Sequence, residues 1–168
     1  MSTNVYLVGM PGSGKTRVGY VLARLVGLSF VDLDREIEVS AGSSVAEIFE
    51  REGEAGFRRM ESEALEVISS REGLVVSCGG GVVLDAGNRA LLSSSGKVVW
   101  LSMSVERLRE RAPVAGRRPL LREPGDLERL MGEREPFYRE VADVIVDSSR
   151  PAAEVARTIA RSLQEGAA

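Results

Sequence analysis

Five short apolar runs alternate along the chain with longer segments whose apolar residues recur every three or four positions. Asn4 to Val8 is the first run, and its unbroken apolar character predicts a strand buried on both faces. Lys15 to Val26 carries Val18, Val21, Leu22 and Leu25 at helical spacing, so a helix is expected there. Ser29 to Leu33 reads as a second strand. Arg35 to Ala41 reads as a short helix with Asp34 as its cap. Ser44-Val45-Ala46-Glu47 is a capping box that opens a helix through about Glu52, and Gly53 interrupts it. A longer helix is expected from about Glu54 to Ser70, with Phe57, Met60, Ala64, Val67 and Ile68 on its inner face.

Gly73 to Cys78 predicts a third strand, closed abruptly by Gly79, Gly80 and Gly81. Asp85 to Ser93 reads as helix, Lys97 to Leu101 as a fourth strand, and Ser104 as the cap of a helix through about Arg111. Pro113, Gly116, Pro119, Pro124 and Gly125 make 112–125 a loop. Asp126 begins a helix to about Arg139, disturbed at Pro136. Asp143 to Asp147 is the fifth strand. Pro151 opens a last helix whose Val155, Ile159 and Leu163 face inward. Strands alternating with helices predict an α/β domain: a parallel sheet with helices on both faces, binding ligands at the carboxyl ends of its strands.

Between the first strand and the first helix stands Gly9-Met10-Pro11-Gly12-Ser13-Gly14-Lys15-Thr16, the G-x-x-x-x-G-K-[ST] spacing of a phosphate-binding loop. Glycines let the backbone turn consecutive N–H groups into one concavity, and the helix behind adds its own free N–H groups and positive dipole end. Pro11, Gly12, Ser13 and Gly14 are therefore expected to cradle phosphate. Lys15 is expected to reach the terminal phosphates of a nucleotide, and the Thr16 hydroxyl to ligate Mg²⁺.

Composition narrows the partners. A chain of 168 residues, 43% hydrophobic and 28% charged, suits one soluble domain. No apolar run reaches membrane-spanning length, and no leader peptide is expected. The net charge of −3 argues against non-specific nucleic-acid binding. The absence of histidine and the single Cys78 exclude both an internal disulfide and Cys/His metal sites, which fits a reducing cytoplasm. Only Lys15 and Lys97 among the 22 basic residues are lysine, so a lysine at the motif position carries weight.

Several further residues are candidates for chemistry. Asp32 and Asp34 end the second strand at the ligand-binding edge, where one would serve Mg²⁺ and the other a hydroxyl acceptor; the plainer alternative is a helix cap and a solvated carboxylate. Gly79, Gly80 and Gly81 imply a backbone that passes close to a ligand. Many phosphate-loop proteins end this strand in an Mg²⁺-linked Asp; here it ends Val76-Ser77-Cys78, so metal binding would rest on Thr16 with Asp32 or Ser77. Cys78 reads as a small buried filler. Arg117 and Arg118, ahead of Pro119-Leu120-Leu121, suit a lid that brings positive charge to a transferring phosphoryl group.

The ordered set resembles the shikimate kinase family over about residues 4–165. It comprises the phosphate loop, Asp32-Leu33-Asp34, Gly53-Glu54 with Phe57-Arg58, Gly79-Gly80-Gly81, Arg118-Pro119-Leu120-Leu121, and Arg134 before Pro136 and Tyr138. The resemblance implies a three-layer α/β/α P-loop kinase fold with a five-stranded parallel sheet. It implies a substrate-binding region at about 32–61 and a mobile lid at about 112–125, within a single domain over 1–168. It further implies ATP-dependent phosphorylation of the 3-hydroxyl of shikimate, in chorismate and aromatic amino acid biosynthesis, with Mg²⁺ and in a monomer. By position, Asp34 would bind ring hydroxyls and act as base. Arg58 and Arg134 would grip the carboxylate, the Gly80 region would line the site, and Arg118 would act on the phosphates. Arg111 and Arg150 fall loosely where the family surrounds adenine. The rival readings are a related kinase acting on gluconate or a nucleoside monophosphate, a GTP-dependent switch, and an inactive nucleotide-binding regulator. The switch would need an Asn-Lys-x-Asp motif, which this chain lacks.

Overall fold

The structure is a computed structural model and describes residues 3–111 and 119–166. Five strands form one parallel sheet: β1 (Asn4–Val8), β2 (Ser29–Asp32), β3 (Leu74–Ser77), β4 (Gly96–Ser102) and β5 (Val144–Asp147). Their order across the sheet is β2-β3-β1-β4-β5, with Val5 opposite Val75 and Lys97, and Phe30 also opposite Val75. The helices are α1 (Lys15–Val26), α2 (Leu33–Ala41), α3 (Val45–Ser69), α4 (Ala86–Ser95), α5 (Val105–Arg111), α6 (Asp126–Val141) and α7 (Ala152–Glu165). A 3₁₀ turn at Val82–Leu84 was not expected from the sequence.

Strand alternation divides the core in two. Val5, Leu7, Val75, Val99 and Leu101 face α1 and α7. Tyr6, Val8, Val76, Val98 and Trp100 face the other layer, with residues of α3, α4 and α6. All of β1 is buried, which accounts for the apolar run Val5 to Val8; Asn4 is buried with its amide bonded to the Arg71 carbonyl and the Leu74 N–H.

Several local expectations change. Asp32, not Asp34, caps α2: its Oδ1 accepts from the Arg35 N–H at 3.2 Å, and Asp34 lies inside the first turn. Pro151 is itself the cap of α7, and the helix begins at Ala152. Leu25 and Val67 are exposed rather than core, at the margins of their helical stripes. The two helices expected on either side of Gly53 run as one element, α3, with a break inside it. Gly53 sits at φ 70°, ψ −179°, outside the helical region, so the sequence's interruption is real although the element continues. This break aims 54–69 independently of the capped segment before it, and that second part carries Arg58 and Glu61 of the site described next.

Candidate active site

The order β2-β3-β1 sets three strand ends side by side at the carboxyl edge of the sheet. β1 runs into the phosphate loop, β2 into Asp32 and Asp34, and β3 into Ser77 and the three glycines. Gly14, at φ 90°, caps α1, and the loop is braced by Ser13 N–H donating to the Met10 carbonyl at 3.1 Å. Lys15 Nζ donates to the carbonyls of Gly9 at 2.7 Å and Met10 at 3.0 Å, arched over its own loop. The Ser13 hydroxyl is buried and meets no hydrogen-bond partner.

Thr16 Oγ1 donates to Asp32 Oδ2 at 2.8 Å and lies 3.3 Å from Ser77 Oγ. These are hard oxygen donors beside a phosphate loop, the set that suits Mg²⁺, an ion that keeps several waters and shares its ligands with substrate phosphates. Among the described residues there is no cluster of three or more Asp, Glu, Cys or His that would cage an ion unaided. The residues fit a metal brought in with phosphate.

From the loop a cavity of about 510 Å³ extends between Asp34, Arg58, Glu61, Gly79, Gly80, Gly81 and Arg134, with Pro119, Leu120 and Leu121 on its rim. It holds both signs of charge, and Arg58 and Glu61 pair directly with each other. Arg58, one turn before Glu61 on α3, donates from Nη1 to Glu61 Oε1 at 2.8 Å, and Glu61 is fully buried. Burial pushes the Glu61 carboxyl above its ordinary pKa, with the Arg58 charge opposing. Burial, and then the Asp32 charge, pushes Asp34 up in the same way against Lys15 and Arg58. Arg134 is 2% exposed, and among the described residues no carboxylate pairs with it. Asp34 Oδ1, Glu61 Oε2 and the Nε atoms of Arg58 and Arg134 are all buried without a hydrogen-bond partner. Isolated buried ions are expensive. So many unmet polar atoms around one cavity suit a ligand with several hydroxyls and a negative charge.

The three glycines act together. A Cβ on Gly79 would stand 2.5 Å from Glu61 Oε2 and 3.1 Å from Asp34 Oδ1. A Cβ on Gly80 would stand 2.9 Å from Arg134 Nη1 and from Pro11, and one on Gly81 would occupy the place of the Arg58 guanidinium. The missing side chains therefore make room for the charged groups, each of which lies on bare backbone.

The sequence-expected residues Lys15, Thr16, Asp32, Asp34, Arg58, Gly79, Gly80, Gly81 and Arg134 come together here. Arg111 stands beside the phosphate loop, its Nη1 3.9 Å from a Cβ position on Gly14, and donates to the carbonyls of Ser148 and Ser149 at 3.4 and 3.2 Å. Arg150 is exposed and does not line the cavity. Arg117, Arg118 and the rest of 112–118 lie outside the described residues, so of the lid expected at about 112–125 only 119–125 is described. Cys78 is buried, and burial pushes its thiol far up, as suits a filler. Glu61 was missed by sequence reading. Its signal was present: it falls in the stripe Phe57, Ala64, Leu65 and Ile68, where an acidic residue needs a partner.

A sequence model of the family described as shikimate kinase matches residues 11–164. The chain belongs to the shikimate kinase family. Among relatives, the shikimate kinase of Aromatoleum aromaticum is 51% identical over 149 residues, covering 87% of this chain and 85% of its own. That of Nitrosococcus oceani is 44% identical over 169 residues, covering 98% and 89%. Among solved structures, the shikimate kinase from Acinetobacter baumannii in complex with shikimate superposes with a TM-score of 0.95 at 39% identity, over 99% of this chain and 95% of that one. The family's five-stranded P-loop kinase fold is the fold described above.

Proposed function

We propose that the cavity is the acceptor site of an ATP-dependent kinase that phosphorylates the 3-hydroxyl of shikimate, giving shikimate 3-phosphate and ADP for chorismate and aromatic amino acid synthesis. Family membership supports the reaction and ATP as co-substrate. The observation that carries the site is the pair Arg58 and Arg134, set across bare glycine backbone from the buried carboxylate of Asp34. Arg134, which pairs with no carboxylate among the described residues, suits a carboxylate ligand, because its planar fork donates two parallel hydrogen bonds; Arg58 stands beside it with one Nη held by Glu61.

On this reading Arg58 and Arg134 hold the carboxylate of shikimate, and Gly79, Gly80 and Gly81 line its ring. Asp34 orients the reacting hydroxyl and takes its proton as the new O–P bond forms and the bond to the ADP oxygen breaks. Desolvation of Asp34 favours that transfer, since it raises the carboxylate's affinity for a proton. Pro11, Gly12, Ser13 and Gly14 present backbone N–H groups to the phosphates, and Lys15 leaves its carbonyl partners to meet them. Mg²⁺ held at Thr16 and Asp32 would neutralise phosphate charge. Arg118 would add charge to the transferring group from a lid at about 112–125, and 32–61 would form the substrate-binding region. Arg111 is the better placed of the two adenine-side candidates, since Arg150 projects to solvent. We place the enzyme in the cytoplasm as a monomer. Among the described residues no helix is long and apolar enough to cross a membrane.

ADP release from MgATP, measured with shikimate, gluconate, quinate and AMP in parallel, tests the reading. Turnover on shikimate alone is expected. Turnover on another acceptor in its place would overturn the acceptor assignment, and turnover on none would favour an inactive nucleotide-binding regulator.

A further inference from the structure

Three parts of the active site meet at Gly80: Pro11 of the phosphate loop, the Arg134 guanidinium, and the hydroxyl of Tyr138, which donates to the Gly80 carbonyl in a short hydrogen bond. Tyr138 is one helical turn after Arg134 on α6, so the two side chains share a face. It is fully buried, and its ring stacks on Trp100 of β4 with centroids 5.8 Å apart and planes at 28°. Burial pushes its phenol pKa up, against the nearby Arg134 charge, so the hydroxyl remains a neutral donor. A buried tyrosine hydroxyl normally finds some partner. Here the partner is the Gly80 peptide, against which the Arg134 guanidinium also lies, and the stacked ring holds the donor against the sheet.

We propose that the Tyr138 hydroxyl is a positioning group for acceptor binding: it holds the Gly80 peptide still, so that Arg134 rests on a fixed shelf and meets the acceptor's carboxylate already oriented. The inference depends on the reading that Arg134 binds that carboxylate. Preorganisation of this kind lowers the ordering cost of binding without adding a contact to the ligand.

The test is a double-mutant cycle on the full-length enzyme, with Tyr138→Phe, Arg134→Met and the combined variant. Tyr138→Phe is expected to raise the shikimate KM about tenfold, with the ATP KM changed less than about twofold. In the Arg134→Met background the same change is expected to add less than about twofold. 4-Fluorophenylalanine at 138, which keeps the size and lacks the donor, should behave as Phe. 4-Aminophenylalanine, which restores a donor, should recover most of the affinity; these two also decide the matter if Tyr138→Phe folds poorly. An unchanged shikimate KM in Tyr138→Phe, a full effect persisting in the Arg134→Met background, an ATP KM rising in step, or no recovery with the amine each overturns the inference. If Arg134→Met itself leaves the shikimate KM unchanged, the carboxylate reading of Arg134 falls and takes this inference with it. If Arg134→Met raises that KM and Tyr138→Phe does not, only the role of Tyr138 falls.

Discussion

The Arg58 guanidinium donates to Glu61 Oε1 at 2.8 Å and fills the space that a Cβ on Gly81 would need. Gly81 itself has φ −96° and ψ 6°, a conformation open to other residues. The glycine is thus required by its neighbour and not by its backbone. Gly81→Ala is expected to push Arg58 from its place and raise the shikimate KM by about 10- to 100-fold, the worth of one charge-assisted hydrogen bond. The ATP KM should move little, and the melting temperature by only a few degrees. Unaltered shikimate kinetics would show that Arg58 has room to retreat and still serve.

Asp34 is tested by its isostere. Asp34→Asn keeps the shape and removes both the charge and the proton acceptor. kcat is expected to fall by about 10²- to 10⁴-fold. Nucleotide binding, followed by fluorescence titration, should persist. Near-normal turnover would assign the carboxylate to structure alone.

Glu61 has a sign that can be worked out. Its native pKa is raised above 4.5, so the native state binds this proton more tightly than the unfolded chain does. Its contribution to stability is therefore present below about pH 4.5 and is lost as pH rises through the native pKa. Asp34 has the same sign and is common to both proteins in a comparison. Glu61→Gln is expected to gain on the parent in urea midpoint between pH 4.5 and pH 8, whatever constant offset comes from stripping Arg58 of its partner. Midpoints that run parallel across this range would mean that Glu61 is not held up by burial.

Arg118 is predicted to act on the transferring phosphoryl group. Arg118→Ala should lower kcat by about 10²- to 10³-fold and shift the shikimate KM by less than about threefold. An effect confined to shikimate KM would move this residue to the acceptor side.

Much of this was legible in the chain. The strands and the phosphate loop have signals that lie within a dozen residues: an apolar run, a glycine spacing, a capping box. Asp34 is a candidate by its place at the end of β2, whereas Arg58 and Arg134 are candidates only through the family pattern, since an isolated arginine in so arginine-rich a chain reads as surface. What was hidden depends on contacts between distant segments. Asp32 and Asp34 are equally good caps by type, and only the path of β2 decides that Asp32 takes the Arg35 N–H. Glu61 looked like one more charge on a helix until α3 was packed against the glycines. Tyr138 enters from the sequence only as a mark of the family pattern; it is buried in the core, and the partner of its hydroxyl lies 58 positions away.

Parallel pairing has a consequence for how the enzyme is made. Val5 pairs with Val75 and Lys97, and Gly80 receives Arg134 and Tyr138 from near the end of the chain. Contacts of such sequence separation close large loops before any of them is rewarded, which slows folding. A nascent chain that has already emitted its phosphate loop and all three glycines still lacks the Arg134 wall of the cavity until α6 emerges and docks. The cavity is thus completed only when α6, whose Arg134 and Tyr138 reach back across more than 50 positions to Gly80, has docked on the strand edge.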